Sequence, residues 1–164
     1  GKSYKGKGMN TEHTYKIGLM WTGNRGSGTE TYTSYERAHT LQAEGKPDLW
    51  GSADPLFRGD STKWNPEELL LASLSSCHML WYLHLCANHK IIVQAYEDTP
   101  QAQMRIESTG AGQFVNAALR PVVTITQVDQ RQLAESLHSQ AHHSCFIANS
   151  VNFPISLNPT ILIG

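Results

Sequence analysis

The chain has 164 residues, of which 40% are hydrophobic and 16% charged, and its formal net charge is −1. A length of roughly 100–200 residues is typical of one domain, and a nearly neutral chain lacks the positive charge that draws a protein to nucleic acid or to an anionic membrane. Three cysteines are too few, and odd in number, for a disulfide framework. We therefore expect no nucleic-acid or membrane partner, and each cysteine is a core residue, a metal ligand or a reactive thiol.

No targeting or membrane-spanning segment is predicted. Residues 1–8 are interpreted as an appended tag remnant and Met9 as the natural start, so that 9–164 form one domain. No secretory signal pattern follows Met9. Polar residues from His84 onwards interrupt the longest apolar run before it reaches the ~18–20 residues of a membrane span. The sequence therefore predicts a cytoplasmic protein.

The first predicted elements are two β-strands joined by a glycine-rich turn. Alternate residues from His13 to Trp21 fall on one face of an extended strand. The glycines of 23–28 then end this strand with a turn, and a second β-type stretch runs from Thr29 to Leu41. The segment from there to Lys63 is predicted to be a long loop, and such loops in compact domains are often functional.

A helix from Pro66 to about Ala87 is the strongest predicted element. Asn65 is a favourable N-cap, Pro66 suits the first helical position, and Glu67 lies in the first turn, where the helix dipole favours negative charge. Apolar residues occupy almost every face of this helix. We therefore predict a buried central helix rather than a surface helix.

Three strands, a second helix and a final extended segment complete the predicted order. The strands are predicted over 91–98, 103–108 and 114–127, and Asp129 is predicted to cap the second helix. The last extended segment covers 153–163. The order ββ–α–βββ–α–β indicates an α+β fold.

Cys77 lies inside the first predicted helix, where a free cysteine is commonly a small apolar residue. It follows Glu67 by ten residues, about 15 Å along the axis, which is too far for the helix dipole to lower its pKa. A reactive Cys77 would need a cation from elsewhere. Arg25 and Arg58 are the candidates, and Glu67 could hold either guanidinium by a two-pronged contact.

The other two cysteines have different surroundings in the sequence. Cys145 follows a polar stretch, His142–Ser144, at the end of the second predicted helix, where its thiol could approach Cys77 if the two helices pack together. Cys86 is nine residues past Cys77, which places it on the opposite face of the first helix. We interpret Cys86 as structural.

A metal site is an alternative use of the same side chains. The candidate ligands are Cys77, His84, His138, His142, His143 and Cys145. The chain contains neither C-x-x-C nor H-E-x-x-H, the spacings by which zinc sites are commonly recognised. No cofactor is predicted, and metal binding stays an alternative.

Two motifs in order give the chain a family resemblance. Asn65–Leu70 and Ala72–Cys77, with the cysteine ten residues after Glu67, are similar to the signature of the OsmC/Ohr family of osmotically induced and organic hydroperoxide resistance proteins. Ala141–Cys145 resembles the family's second cysteine motif. The run Cys77–Trp81 is similar to an OsmC-like branch of the family.

The resemblance implies both a fold and a reaction. The implied fold is an intertwined homodimer with antiparallel sheets around long buried central helices. The implied function is a stress-response thiol peroxidase that reduces organic hydroperoxides to alcohols. In it Cys77 becomes a sulfenic acid and Cys145 resolves it as a disulfide, which an external dithiol reduces. The resemblance implies a lipoyl-type dithiol for this step.

The resemblance leaves the activating arginine open between two positions. The Ohr branch points to Arg25 in the first glycine-rich turn, and the OsmC branch points to Arg58, which precedes Glu67 by nine residues. Three other functions also stay open at this point. They are a metal-binding protein, a redox sensor without turnover, and a small-molecule-binding protein in which Cys77 is structural.

Overall fold

A computed structural model describes residues 10–164, and these residues divide into two compact units. The first unit ends at Pro66, and the second is Glu67–Gly164. The interpretation of residues 1–8 as an appended remnant lies outside the described residues. The prediction of one domain over 9–164 stays a prediction.

The first unit contains a three-stranded antiparallel sheet in the order β1–β2–β3. Its strands are β1 (Gly18–Trp21), β2 (His39–Gln42) and β3 (Leu49–Gly51). Leu19 lies opposite Leu41, and Thr40 lies opposite Trp50. The sheet thus holds β1 and β3, which are about 30 residues apart in the chain, on the two sides of β2.

The strands of the first unit are shorter than predicted. The first begins at Gly18 rather than near His13, and only the end of the stretch 29–41 is a strand. In the second stretch the reason is local polar bonding: the Ser34 hydroxyl accepts from the Thr31 amide and bonds to the Gly28 carbonyl, which holds the chain in a turn instead of a ladder. The predicted loop up to Lys63 was wrong in part, since it holds β3 and a short 3-10 turn, Pro55–Phe57.

The long helix of the second unit, α1, is Pro66–Asn88, so its predicted start is confirmed. Its fully buried side chains form one stripe with helical spacing: Leu74, His78, Tyr82, Leu85 and Cys86. In the single chain the burial is concentrated on this stripe, and Leu80 on another face is 62% exposed. By length and composition alone this 23-residue helix could also cross a membrane, so the expectation that no run is long enough was wrong.

Two mixed sheets accompany α1 in the second unit. Their strands are β4 (Val93–Glu97), β5 (Gln101–Ile106), β6 (Gly112–Leu119), β7 (Val122–Ile125), β8 (Ile155–Leu157) and β9 (Thr160–Ile163). The sheet orders are β4–β7–β9 and β5–β6–β8. The β4–β7 and β5–β6 pairs are antiparallel, whereas β6–β8 and β7–β9 are parallel. The family resemblance implied antiparallel sheets, whereas each of these two sheets also contains one parallel pair.

The predicted strand over 114–127 is in fact two strands in different sheets. The chain turns between β6 and β7 at Arg120 and Pro121. The Arg120 amide donates to Asp98 Oδ1 at 2.7 Å, and Pro121 has no amide hydrogen to continue the ladder. A side-chain acceptor and a proline together end β6 here.

The second helix, α2, is Arg131–Ser144 and packs against α1 and the β4–β7–β9 sheet. It follows a 3-10 turn, Val128–Gln130, so Asp129 lies within this turn and not at the predicted cap. One core cluster joins the two helices to that sheet, and a second, around Leu74, joins α1 to the β5–β6–β8 sheet. The α+β fold class is confirmed.

Candidate active site

The second unit brings two of the three thiols together. Cys77 is half-buried in the middle of α1, and Cys145 is the buried C-cap residue of α2. The thiol of Cys145 lies beside Cys77, close enough for the two thiols to influence each other's protonation. The approach of Cys145 to Cys77, expected if the helices pack together, is therefore observed.

Burial determines the protonation of Cys145. Its side chain is 1% exposed, and burial raises the pKa of the Cys145 thiol to about 11, with the neighbouring Cys77 adding to the increase. The backbone amides of Ala148 and Ile147 oppose this, and the Ala148 nitrogen lies 3.4 Å from Cys145 Sγ. Near neutral pH Cys145 is thus a thiol and a poor nucleophile, although two amides stand ready to stabilise negative charge on its sulfur.

The two candidate arginines lie in the first unit, in different states. Arg25 Nη1 forms an ion pair with Glu36 at 3.2 Å, and the same guanidinium donates to the carbonyls of Thr33 and Ser34. These contacts use all three nitrogens of the guanidinium as donors. Within the first unit Arg25 is therefore a structural clamp of the glycine-rich turn.

Arg58 has a backbone conformation that side chains seldom adopt. Its φ is +63°, in the left-handed region, and it caps the Pro55–Phe57 turn. The next residue, Gly59, is fixed as glycine, since a Cβ there would lie 1.6 Å from the Ala53 carbonyl oxygen. Arg58 is exposed, and among residues 10–66 its guanidinium makes no hydrogen bond or ion pair.

Glu67 is in the first turn of α1, half-buried, in the second unit. Within Glu67–Gly164 its carboxylate forms no ion pair. The pairing of Glu67 with an arginine remains a prediction.

An apolar cluster lies along α1 in the second unit, packed closely enough to leave no space for a water molecule. Its members are Leu70, Leu71, Leu74, Ala102, Phe114, Ala117 and Phe153. Leu70, Leu74 and Cys77 follow one another at helical spacings of four and three residues. The apolar cluster therefore lies along the same face of α1 as the half-buried thiol of Cys77.

The model of one protein family, described as OsmC-like protein, matches residues 59–160 of the chain. That range covers more than half of the sequence and includes both thiols. This chain belongs to the OsmC-like family. The family resemblance inferred from the two cysteine motifs is confirmed.

Solved structures agree with this assignment. The OsmC-like chain superposes on an OsmC-like protein of unknown function from Vibrio cholerae with a TM-score of 0.81 at 30% sequence identity, covering 90% of this chain and 99% of that one. Organic hydroperoxide resistance proteins from Elizabethkingia anophelis and Legionella pneumophila match with TM-scores of 0.64 and 0.65, each at 18% identity. These two cover 94% and 93% of this chain and 100% of their own, and they show a common fold alone. No curated protein sequence matches the chain.

The third thiol of this OsmC-like chain lies in the core. Cys86 is buried on the stripe of α1 that faces α2, and its thiol lies next to Tyr82. Burial raises the pKa of Cys86, and Tyr82 opposes that increase only in part. Cys86 therefore stays protonated and out of reach of solvent, in agreement with its interpretation as structural.

Sequence reasoning missed a buried histidine pair beside the thiols. His78 Nε2 and His138 Nδ1 are 3.0 Å apart, and each residue is 1% exposed. Burial lowers the pKa of His78 to about 4 and that of His138 to about 3. The signal was present, because each histidine lies four residues from an apolar member of a buried helical stripe, Leu74 for the first and Ala134 for the second.

The predicted metal ligands do not converge. Among residues 10–164, no three side chains of the histidine, cysteine, aspartate and glutamate types form a group able to hold a metal ion. His84 contacts Asn88 and Trp81 instead, and His142 and His143 occupy the last turn of α2. The alternative of a metal-binding protein therefore has no assembled site in the described chain.

Proposed function

We propose that this OsmC-like chain is a thiol peroxidase that reduces organic hydroperoxides to alcohols through Cys77, with Cys145 as the resolving thiol. The single observation that carries the proposal is the contact between these two side chains, one half-buried and the other buried. The family to which the chain belongs includes organic hydroperoxide resistance proteins, which supports the same chemistry.

The proposed reaction has three balanced steps. The Cys77 thiolate attacks the terminal peroxide oxygen, the O–O bond breaks, and the leaving alkoxide takes a proton to become the alcohol. Cys77 is then a sulfenic acid. The Cys145 thiol displaces water from this sulfenic acid and forms the Cys77–Cys145 disulfide. An external dithiol reduces the disulfide by thiol exchange and is itself oxidised.

The order of the two cysteines follows from their environments. A peroxide reaches a half-buried sulfur more readily than one that is 1% exposed. The pKa of Cys145 near 11 also keeps this sulfur protonated near neutral pH, when the thiolate is the nucleophile. Cys77 is therefore the attacking thiol, and Cys145 reacts second, with the Ala148 amide 3.4 Å away to stabilise charge on its sulfur.

Arg58 is the arginine that we assign to the Cys77 thiolate. Arg25 is already held by Glu36 and by two backbone carbonyls, so using it would break an existing cluster. Arg58 has no such contacts within its unit and extends from a strained left-handed position, a feature that is concentrated at functional sites. Glu67 would then hold the guanidinium and orient it towards sulfur.

The apolar surroundings of Cys77 and the family support an organic rather than an inorganic peroxide as substrate. Leu70, which is partly exposed, continues the face of α1 on which Cys77 lies, and the family includes organic hydroperoxide resistance proteins. An alkyl or aryl group packed against this face would gain about 25 cal/mol for each Å² of apolar surface removed from water, whereas hydrogen peroxide would gain nothing comparable. We therefore propose cumene and fatty-acid hydroperoxides as better substrates than hydrogen peroxide.

The proposed assembly is a cytoplasmic homodimer. Exposed apolar side chains support a second copy as the partner, among them Leu80 on α1 and Phe146 just after α2. A second copy would also shield α1, whose apolar faces the single chain covers only in part.

The deciding experiment measures intact mass and free thiols before and after one equivalent of cumene hydroperoxide. We expect loss of two thiols per chain and a two-hydrogen decrease in mass, mapped to Cys77 and Cys145, while Cys86 stays free. Repeated turnover with a lipoyl dithiol separates a peroxidase from a redox sensor, which would form the disulfide once. Survival of all three thiols would contradict the proposal.

A further inference from the structure

The buried histidine pair connects the same two helices as the reactive thiols. His78 directly follows Cys77 on α1, and His138 precedes Cys145 by seven residues, about two helical turns, on α2. The mechanism above assigns the two histidines no part. Their contact nevertheless lies between segments whose spacing the disulfide step requires.

Three polar contacts join α1 to α2 in antiparallel order. The Tyr82 hydroxyl donates to the Ala134 carbonyl at 2.8 Å, the histidine rings meet at 3.0 Å, and the two thiols meet at the C-terminal end of α2. The apolar contacts between the helices are not directional and tolerate small shifts. A hydrogen bond between two rings weakens steeply when its angle or length changes. The histidine pair therefore fixes the register next to the thiols.

The rings are themselves held in one orientation. The Tyr82 ring stacks on His138 with centroids 3.8 Å apart and planes 10° apart. The planes of the two imidazoles are within 9° of each other. With the rings so fixed, a displacement of one helix cannot be absorbed by rotation of a side chain.

The pair is more costly than an apolar contact of similar size. His78 Nδ1 and His138 Nε2 are buried and have no hydrogen-bond partner among the described residues. Each unsatisfied polar atom of this kind costs about 1–3 kcal/mol, whereas replacing both partners by apolar groups of the same shape is often neutral or stabilising. Packing alone does not account for the pair, but a directional contact does.

We propose that the His78–His138 hydrogen bond is a positioning contact that holds Cys77 and Cys145 in the relative placement needed for disulfide formation. The inference deepens the proposed function, on which its catalytic meaning rests, because the step that it serves is attack of Cys145 on the Cys77 sulfenic acid. Neither histidine touches the peroxide in this scheme.

The test compares the stability of the Cys77–Cys145 disulfide among variants equilibrated with reduced and oxidised glutathione. In this exchange one oxidised glutathione takes the two thiol hydrogens and leaves the protein disulfide. The variant His78→Leu/His138→Leu removes the hydrogen bond and leaves neither imidazole buried without its partner. We expect its equilibrium constant for the disulfide to fall at least tenfold below that of the unmodified chain.

Two further variants distinguish positioning from general packing. In His138→Asn the amide lies near the former Nδ1 position and keeps a polar partner for His78, so we expect an equilibrium constant within threefold of the original. Leu137→Ala removes a buried side chain on the same helix but leaves the histidine contact, and we expect a similarly small change. An unchanged value in the double-leucine variant overturns the proposal, as does an equally large loss in either of the other two variants.

A kinetic readout connects the contact to the proposed reaction. With one equivalent of cumene hydroperoxide, the double-leucine variant should form the Cys77 sulfenic acid within threefold of the original rate but close the disulfide at least tenfold more slowly. The proposed peroxidase function and the positioning role of the histidines can be contradicted separately. If the chain forms the disulfide with glutathione but consumes no peroxide, the proposed function is wrong and the positioning contact stands. If no Cys77–Cys145 disulfide forms in glutathione, the positioning contact is wrong.

Discussion

Helix α1 carries two cysteines in contrasting surroundings. Cys77 is half-buried, lies beside a second thiol and continues the face of an apolar cluster. Cys86, nine residues later, is buried against α2, and burial raises the pKa of its thiol. The residue type is the same, so the difference comes from which helical face each thiol occupies and from what packs against that face. Each prediction below tests one part of this contrast.

The largest effect is expected from removing the thiol at the accessible position. Cys77→Ser should lower peroxidase kcat/KM by at least about a thousandfold, because a serine hydroxyl at neutral pH is not a comparable nucleophile. Cys86→Ser is the matched control on the same helix. Equal losses in the two variants, measured with cumene hydroperoxide, would erase the functional contrast between the two positions.

Removing the partner thiol should separate the first turnover from the later ones. In Cys145→Ser we expect the first equivalent of peroxide to be consumed within about threefold of the normal rate, since Cys77 is retained. Steady-state turnover with a dithiol should fall by roughly a hundredfold, and dimedone should trap the sulfenic acid at Cys77. A variant that turns over normally would show that Cys145 is not the resolving residue.

The arginines test why one thiol is activated. Arg58→Ala should lower the rate constant of the first step by about a hundredfold, the loss typical for removing one electrostatic stabiliser. Arg25→Ala should change it by less than about fivefold, because this side chain is committed to Glu36. Stopped-flow measurement of both variants decides the assignment, and the reverse order of effects would transfer the role to Arg25.

The buried pair His78 and His138 should make the free energy of unfolding depend on pH. His78 and His138 have folded pKa values of about 4 and 3, below the unfolded value near 6.5, so the unfolded chain binds more protons in between. The two neutral histidines contribute fully to the free energy of unfolding above pH 6.5, and this contribution is lost as the pH falls towards 4. His142 and Asp98 face His78, and Tyr82 faces His138. Urea unfolding should show a decrease of at most about 3 kcal/mol for His78 over this range.

The double variant His78→Leu/His138→Leu is the control for this pH dependence. Its free energy of unfolding should change less between pH 6.5 and pH 4 than that of the original chain. An identical slope in both proteins would assign the acid sensitivity to other groups.

The smallest effect on catalysis is expected from replacing the buried thiol of Cys86. Cys86→Ala should leave peroxidase rates within about twofold and lower the free energy of unfolding by about 1–2 kcal/mol, the cost of a small cavity. Urea unfolding and steady-state assays on one preparation measure both. A large loss of activity without a loss of stability would give Cys86 a role that its surroundings do not indicate.

Local signals in the sequence were sufficient for the main elements. Proline and acidic residues predicted the start of α1 at Pro66, and apolar periodicity predicted α2 to within a few residues. They were insufficient where two segments compete for hydrogen bonds. The side chain of Ser34 holds part of the predicted strand over 29–41 in a turn, and Asp98, which is 22 residues from Arg120, ends β6.

The sequence by itself determined the α+β fold class, the two cysteine motifs and, through them, the family. Only the tertiary structure decided that Cys77 meets Cys145 while Cys86 does not, that Arg25 is already paired, and that two histidines 60 residues apart share a buried hydrogen bond. The physical reason is range. Capping, periodicity and turn chemistry act over a few residues and are legible in the chain, whereas burial, pKa and side-chain partners depend on which distant faces pack together.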